Sequence, residues 1–117
     1  VLTAMPIEII APKNHRGHRL LDFDIKRLDQ EIVRKVKNKT LHEKLSEVGK
    51  SVFKALGGRS FGRIDIRLCA RGLPHFVEAN LMPGLSNGYF YRSCSINLDM
   101  TYDEMILLLC SNRLNSC

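Results

Sequence analysis

Between Phe61 and Gly84 the chain alternates as a paired strand does. Ile64, Ile66 and Leu68 fall on one side of an extended segment, and Arg63, Asp65 and Arg67 on the other. A period of two marks a strand with one buried face. A second arm follows, with His75, Val77 and Ala79 on one side and Phe76, Glu78 and Asn80 opposite. Arg71-Gly72 between the arms suits a short hairpin loop. Pairing Cys69 with Pro74 makes that loop Ala70 to Leu73. It also sets Asp65 opposite Glu78 and Arg63 opposite Asn80.

That register has a chemical consequence. Two carboxylates directly across a strand pair repel each other, so a cation belongs between them. Asp65, Glu78 and the amide of Asn80 are hard oxygen donors, which suit Mg²⁺ or Mn²⁺ rather than zinc. Arg63 lies on the same face as Asp65 and is placed to neutralise an anion bound to that metal. Metal, carboxylates and arginine together point to a polyphosphate held for phosphoryl transfer. The competing reading is a solvated polar face on a half-exposed hairpin, since alternation itself requires an outer face.

Arg63-x-Asp65, followed by Glu78-Ala79-Asn80-x-x-Pro83-Gly84, resembles the closing segment of ATP-grasp ligases, most closely D-alanine–D-alanine ligases. The resemblance covers most of the chain and is strongest from Gly62 to Gly84. It implies that Asp65, Glu78 and Asn80 bind Mg²⁺ ions bridging the phosphates of ATP. It implies that Arg63 stabilises the acyl phosphate and tetrahedral intermediate, and that Gly84 offers backbone to the second amino acid. Lys26 matches a lysine that contacts the terminal phosphates, although Arg27 stands where that family often has tyrosine. After Gly84 the family continues with small hydroxyl residues that touch the acceptor. Here Tyr89, Phe90 and Tyr91 stand in that region and either reshape the pocket or pack inward. The implied activity is ATP-dependent joining of a carboxylate to an amine through an acyl phosphate, in cytoplasmic cell-wall precursor synthesis. The implied partners are ATP, amino-acid substrates, the remaining domains of a longer chain and a homodimeric copy. Neither nucleic acid nor membrane is among them.

The 117 residues are enough for one small domain, and 44% hydrophobic with 26% charged residues is ordinary for a globular chain. No apolar run is long enough to span a membrane, and no secretory signal opens the chain. The first residue is Val1, and residues 1–117 read as the C-terminal portion of a longer protein, a piece expected to be a poor enzyme by itself. Cys69, Cys94, Cys110 and Cys117 show no metal-type spacing and fit free thiols in a reducing compartment. A net charge of +6 favours an anionic ligand, such as nucleotide phosphate. A non-catalytic basic module that binds nucleic acid or a protein is the reading from another class, though the basic stretch lacks interleaved aromatics.

Elsewhere the pattern predicts a strand over Met5 to Ala11, a loop over Pro12 to Arg19 and a second strand over Leu20 to Ile25. His15 and His18 read as loop histidines rather than a metal pair. Leu28 to Lys39, where Arg34, Lys35, Lys37 and Lys39 interleave with Ile32, Val33 and Val36, allows an amphipathic helix. Thr40 to Glu43 has the form of a capping box, opening a helix that Gly57-Gly58 stops. Asn87-Gly88 signals a turn, and Thr101 to Glu104 is a second capping box before an apolar closing helix. The order strand, strand, helix, strand, strand, helix predicts an α+β fold, a mostly antiparallel sheet with packed helices, matching an ATP-grasp C-terminal subdomain.

Overall fold

The computed structural model of the protein describes residues 2–11, 31–86 and 88–115. Its elements run β1 (Ile7–Ile10), β2 (Ile32–Lys35), α1 (Lys39–Ala55), β3 (Arg63–Leu68), β4 (Pro74–Asn80), α2 (Tyr89–Leu98) and α3 (Tyr102–Asn115). Among the described residues the strands form two antiparallel pairs, β1 with β2 and β3 with β4. The α+β class and the antiparallel pairing are as the sequence predicts. The loop over Pro12 to Arg19, with His15 and His18, and the strand over Leu20 to Ile25 lie outside the described residues, as does Lys26.

The basic stretch is the first correction. Residues 32–35 form a strand, not a helix, and pair with β1 so that Ile9 faces Val33 and Glu8 faces Arg34. Arg34 donates from Nε to Glu8 Oε2 at 2.9 Å and from Nη2 to Oε1 at 3.2 Å, a cross-strand pair on the exposed face. Two adjacent β-branched residues, Ile32 and Val33, favour an extended backbone once a partner strand supplies hydrogen bonds.

Helix α1 starts two residues earlier than its predicted capping box. Asn38 is the N-cap, and its Oδ1 accepts from Leu41 N at 2.9 Å. The stop is where the glycines place it. Gly57 N donates to Lys54 O and Gly58 N to Phe53 O, and Gly57 takes φ +73°, the pattern of a Schellman cap. The chain folds back so closely that a Cβ on Gly58 would sit 2.4 Å from the Phe53 ring. Phe53 is the buried residue of α1, which packs against β3 and β4.

Helix α2 occupies a stretch read only as turn and aromatic run. Its N-cap, Gly88, offers no side-chain bond, and Asp99 ends it in the left-handed region at φ 52°. Helix α3 opens on the predicted capping box: Glu104 N donates to Thr101 Oγ1 and Thr101 N to Glu104 Oε1, both at 3.2 Å. Phe90, Cys94 and Met105 form the buried cluster between α2 and α3, with Met5, Phe61 and Leu85 packed against it. Phe61 and Phe90 stack tilted, with centroids 5.1 Å apart. Asn97 ties these layers together. Its Nδ2 donates to Pro6 O and Ser93 O, and its Oδ1 meets His42 Nε2 of α1 at 3.2 Å.

Candidate metal–phosphate site

The site end of the β3–β4 hairpin has the predicted register, and the tip does not. Arg63 faces Asn80, Ile64 faces Ala79 and Asp65 faces Glu78. Beyond Asp65 the pairing slips: Ile66 faces Phe76, Arg67 faces His75 and Leu68 faces Pro74, which leaves Val77 as the bulged residue. The loop is therefore Cys69 to Leu73, one residue longer than predicted, closed by Cys69 N to Leu73 O and Gly72 N to Cys69 O. Gly72 takes φ +74°, which only glycine adopts without strain. The bulge also corrects the facing of the tip. Phe76 joins Ile66 on one face, while His75 joins Arg67 on the other.

Registry puts Arg63, Asp65, Glu78 and Asn80 on one face, since paired residues project together and alternate residues share a side. Arg63 holds Asp65 by both oxygens, Nε to Oδ1 at 2.8 Å and Nη2 to Oδ2 at 3.1 Å. The pair is partly open to water, with 31% and 39% of the two side chains exposed. Glu78 is exposed on the neighbouring strand. Asn80 Oδ1 accepts from Met82 N at 2.9 Å, which turns the chain out of β4 towards the buried Pro83. Gly84 is exposed, and a Cβ there would meet nothing within 4 Å, so what this position presents is backbone open to approach.

This set of donors fits a hard divalent cation. Two facing carboxylates and an amide share one face of the hairpin, with both Asp65 oxygens on Arg63 and Asn80 Oδ1 on Met82 N, and among the described residues no group of three or more His, Cys, Asp or Glu is placed to hold a metal ion. The guanidinium now neutralises one of the two carboxylates. A shallow cleft of about 290 Å³ lies at the opposite end of the hairpin, lined by Leu41, Lys44, Leu68 and Gly72, remote from Arg63.

Two further residues adjoin the site: Tyr89, which the sequence offered only as part of an aromatic run, and Glu31, which no sequence signal marked. Tyr89, the first residue of α2, places its ring 6.0 Å from Arg63 Cζ, within cation–π reach. Of the aromatic run, Phe90 packs inward and Tyr91 meets Tyr102 edge-on at 5.6 Å, so Tyr89 alone faces the arginine. Behind it lies Glu31, just before β2, with 3% of its side chain exposed and Oε1 3.8 Å from Arg92 Nη1. Glu31 Oε2 and the Tyr89 hydroxyl are both buried and neither completes a hydrogen bond. Burial, then the neighbouring Glu31 carboxylate, pushes the Tyr89 phenol up to about 12. Glu31 sits within a stretch that reads as a basic helix, and nothing in its spacing marks it as buried.

Comparison with known proteins identifies the family. Residues 3–111 match the family model described as D-ala D-ala ligase C-terminus. The chain is 25% identical to the D-alanine–D-alanine ligase of Dichelobacter nodosus over 97% of its own length and 37% of that protein. It is 25% identical to the D-alanine–D-alanine ligase of Clostridium beijerinckii over 94% of its length and 36% of that protein. The chain thus spans little more than a third of the length of these relatives. No solved structure matches it.

Proposed function

We propose, for a chain that belongs to the family of D-ala D-ala ligase C-termini, that it forms the metal- and phosphate-handling part of an ATP-dependent carboxylate–amine ligase. The observation that carries this reading is the register of one hairpin: Asp65 against Glu78 and Arg63 against Asn80, closed by Pro83-Gly84. The reaction has two steps. A substrate carboxylate attacks the γ-phosphorus of ATP and ADP leaves, giving an acyl phosphate. An amine then attacks the acyl carbon, and phosphate leaves as the amide forms.

Bound Mg²⁺ or Mn²⁺ supplies charge neutralisation and alignment for the phosphates. Asp65, Glu78 and Asn80 hold the cation. Arg63 presents a fixed fork of donors where negative charge develops on the acyl phosphate and tetrahedral intermediate. The open backbone at Gly84 binds the acceptor. Lys26 contacts the terminal phosphates. The remaining domains of a longer chain, paired as a homodimer, supply the purine site and the other phosphate ligands, and the cell-wall precursor reaction takes place in the cytoplasm. Among the described residues no helix is long and apolar enough to cross a membrane.

The first substrate pair to test is D-alanine with D-alanine. A second reading has the same chemistry with another acceptor, and it is favoured by Tyr89, which stands against Arg63 where small hydroxyl residues are the family pattern. The experiment is Mg²⁺-dependent ATP hydrolysis by the intact protein, with and without D-alanine, beside Glu78→Ala. D-alanine stimulation abolished by the substitution supports the first reading. Turnover that depends on Glu78 but not on D-alanine supports the second. Nucleotide chemistry insensitive to Glu78 removes both.

A further inference from the structure

We propose that Tyr89, braced by Glu31, is the positioning residue that holds the Arg63 guanidinium over the site once the Asp65 carboxylate is given to a cation. The inference rests on the ligase reading and concerns what that reading leaves open. Arg63 spends Nε and Nη2 on both Asp65 oxygens, at 2.8 and 3.1 Å. Those lone pairs are the ones a divalent cation takes. Arg63 and a metal therefore compete for one carboxylate, and the displaced guanidinium needs another partner if it is to stay fixed.

The Tyr89 ring is that partner. It lies 6.0 Å from Arg63 Cζ and comes from a different element, so it does not move with β3. Its backbone is anchored, because the next residue, Phe90, is buried with Cys94 and Met105. Its hydroxyl points into a polar pocket that is incomplete. Glu31 Oε2 and the Tyr89 oxygen are both buried and fall short of a well-formed hydrogen bond, although the Glu31 carboxylate is near enough for weak hydrogen bonding to help raise the phenol. Buried polar atoms in this condition carry a cost that a small ring shift removes. Two arrangements follow. In one, Arg63 sits on Asp65 and the Tyr89–Glu31 hydrogen bond is open. In the other, Arg63 sits on the Tyr89 ring and that hydrogen bond is closed. Arg92 lies 3.8 Å from Glu31 Oε1 and flanks the same buried carboxylate.

The test follows the Arg63 Nε–Hε resonance of the intact protein, labelled with ¹⁵N-arginine and assigned from Arg63→Lys. Mg²⁺ with a non-hydrolysable ATP analogue is the probe, and its binding is measured in parallel by calorimetry. In the wild type the resonance is expected to move on addition yet stay sharp. In Tyr89→Leu it is expected to collapse among the exposed arginines, with kcat down about tenfold and the KM for ATP unchanged. Tyr89→Phe keeps the ring and removes the hydroxyl that meets Glu31, so it is expected to give an intermediate broadening. A Tyr89→Leu spectrum like the wild type overturns the proposal, and so does Tyr89→Phe as damaging as Tyr89→Leu. Calorimetric binding with no movement of the wild-type resonance overturns it while leaving the ligase reading intact. Absence of any Mg²⁺-dependent binding removes both.

Discussion

Arg63 and Asp65, two positions apart on β3, are joined by a two-point contact in which Nε meets Oδ1 at 2.8 Å and Nη2 meets Oδ2 at 3.1 Å. Only a planar fork of donors makes this contact; a lysine ammonium makes one bond at most geometries. In the intact protein Arg63→Lys is therefore expected to keep the fold and lower kcat by about 10²-fold, the scale of losing a preorganised donor at developing charge. Steady-state kinetics with ATP saturating checks this, and wild-type turnover would sink the assigned role.

Glu78 faces Asp65 across the strand pair and is exposed. Glu78→Gln removes a like-charge opposition, so the protein without added ligand is expected to gain a few tenths of a kcal/mol, about 0.2–0.5. The same change removes the proposed metal ligand. Calorimetry is expected to show Mg²⁺–nucleotide binding weakened by at least about tenfold. Stability and affinity moving in opposite directions distinguish a ligand from a solvated surface residue, which would move neither.

The turn after α1 is stericially exacting. A methyl on Gly58 enters the Phe53 ring, with the nearest carbon at 2.4 Å. Gly58→Ala is expected to cost about 1–3 kcal/mol, the range of overpacking a filled site. Gly57→Ala meets no atom within 4 Å but keeps φ +73°, so its cost is about 1 kcal/mol. Urea denaturation ranks the two, and the reverse order would contradict the packing.

Tyr89 gives stability a pH signature. Its folded phenol is raised to about 12 from the ordinary 10, by burial and then by Glu31. Below pH 10 the phenol is protonated in both states and adds no slope. Between pH 10 and 12 the unfolded chain has lost a proton that the folded chain keeps, so this contribution is lost as pH rises through that window. The difference in urea midpoint between wild type and Tyr89→Phe, followed from pH 9 to 11, is expected to shift against the wild type. Parallel curves would show the phenol to be unperturbed.

The thiols differ in reactivity. Hydrogen bonding from the Leu73 backbone, then from the His75 side chain, lowers the Cys69 thiol, while burial raises that of Cys94. Iodoacetamide at neutral pH, read by peptide mass mapping, is expected to label Cys69 well before Cys94, which is 3% exposed. Equal labelling would mean that the α2–α3 cluster opens on the timescale of the reaction.

The parts of the fold legible in the sequence are those that local rules determine. Period-two alternation located both arms of the hairpin, and Asp65 was set opposite Glu78 from a loop read one residue too short, an error that the bulge at Val77 cancels. The Thr101–Glu104 capping box and the Gly57-Gly58 stop are each complete within a few residues, so they could be read directly. What escaped depends on distant partners. Ile32, Val33 and Val36 satisfy a helical spacing as well as an extended one, and pairing with Ile7–Ile10 decides between them. Helix α2 begins on a glycine with no capping side chain, so nothing local announces it. At the site, the face shared by Arg63, Asp65, Glu78 and Asn80 was readable from registry. The bidentate pairing of Arg63 with Asp65, the approach of Tyr89 and the burial of Glu31 were not, since they arise only when three elements meet.

The slip at Val77 divides the hairpin into two frames. The three pairs at the Arg63 end keep one count, and the three pairs nearer the tip keep another. Changes in the length of the Cys69–Leu73 loop can therefore be absorbed at the bulge without rotating Glu78 or Asn80 to the far side. The distal half of the hairpin behaves as an interchangeable cassette. Foreign loops or short binding peptides can be spliced there while the frame of Arg63, Asp65, Glu78 and Asn80 keeps its phase.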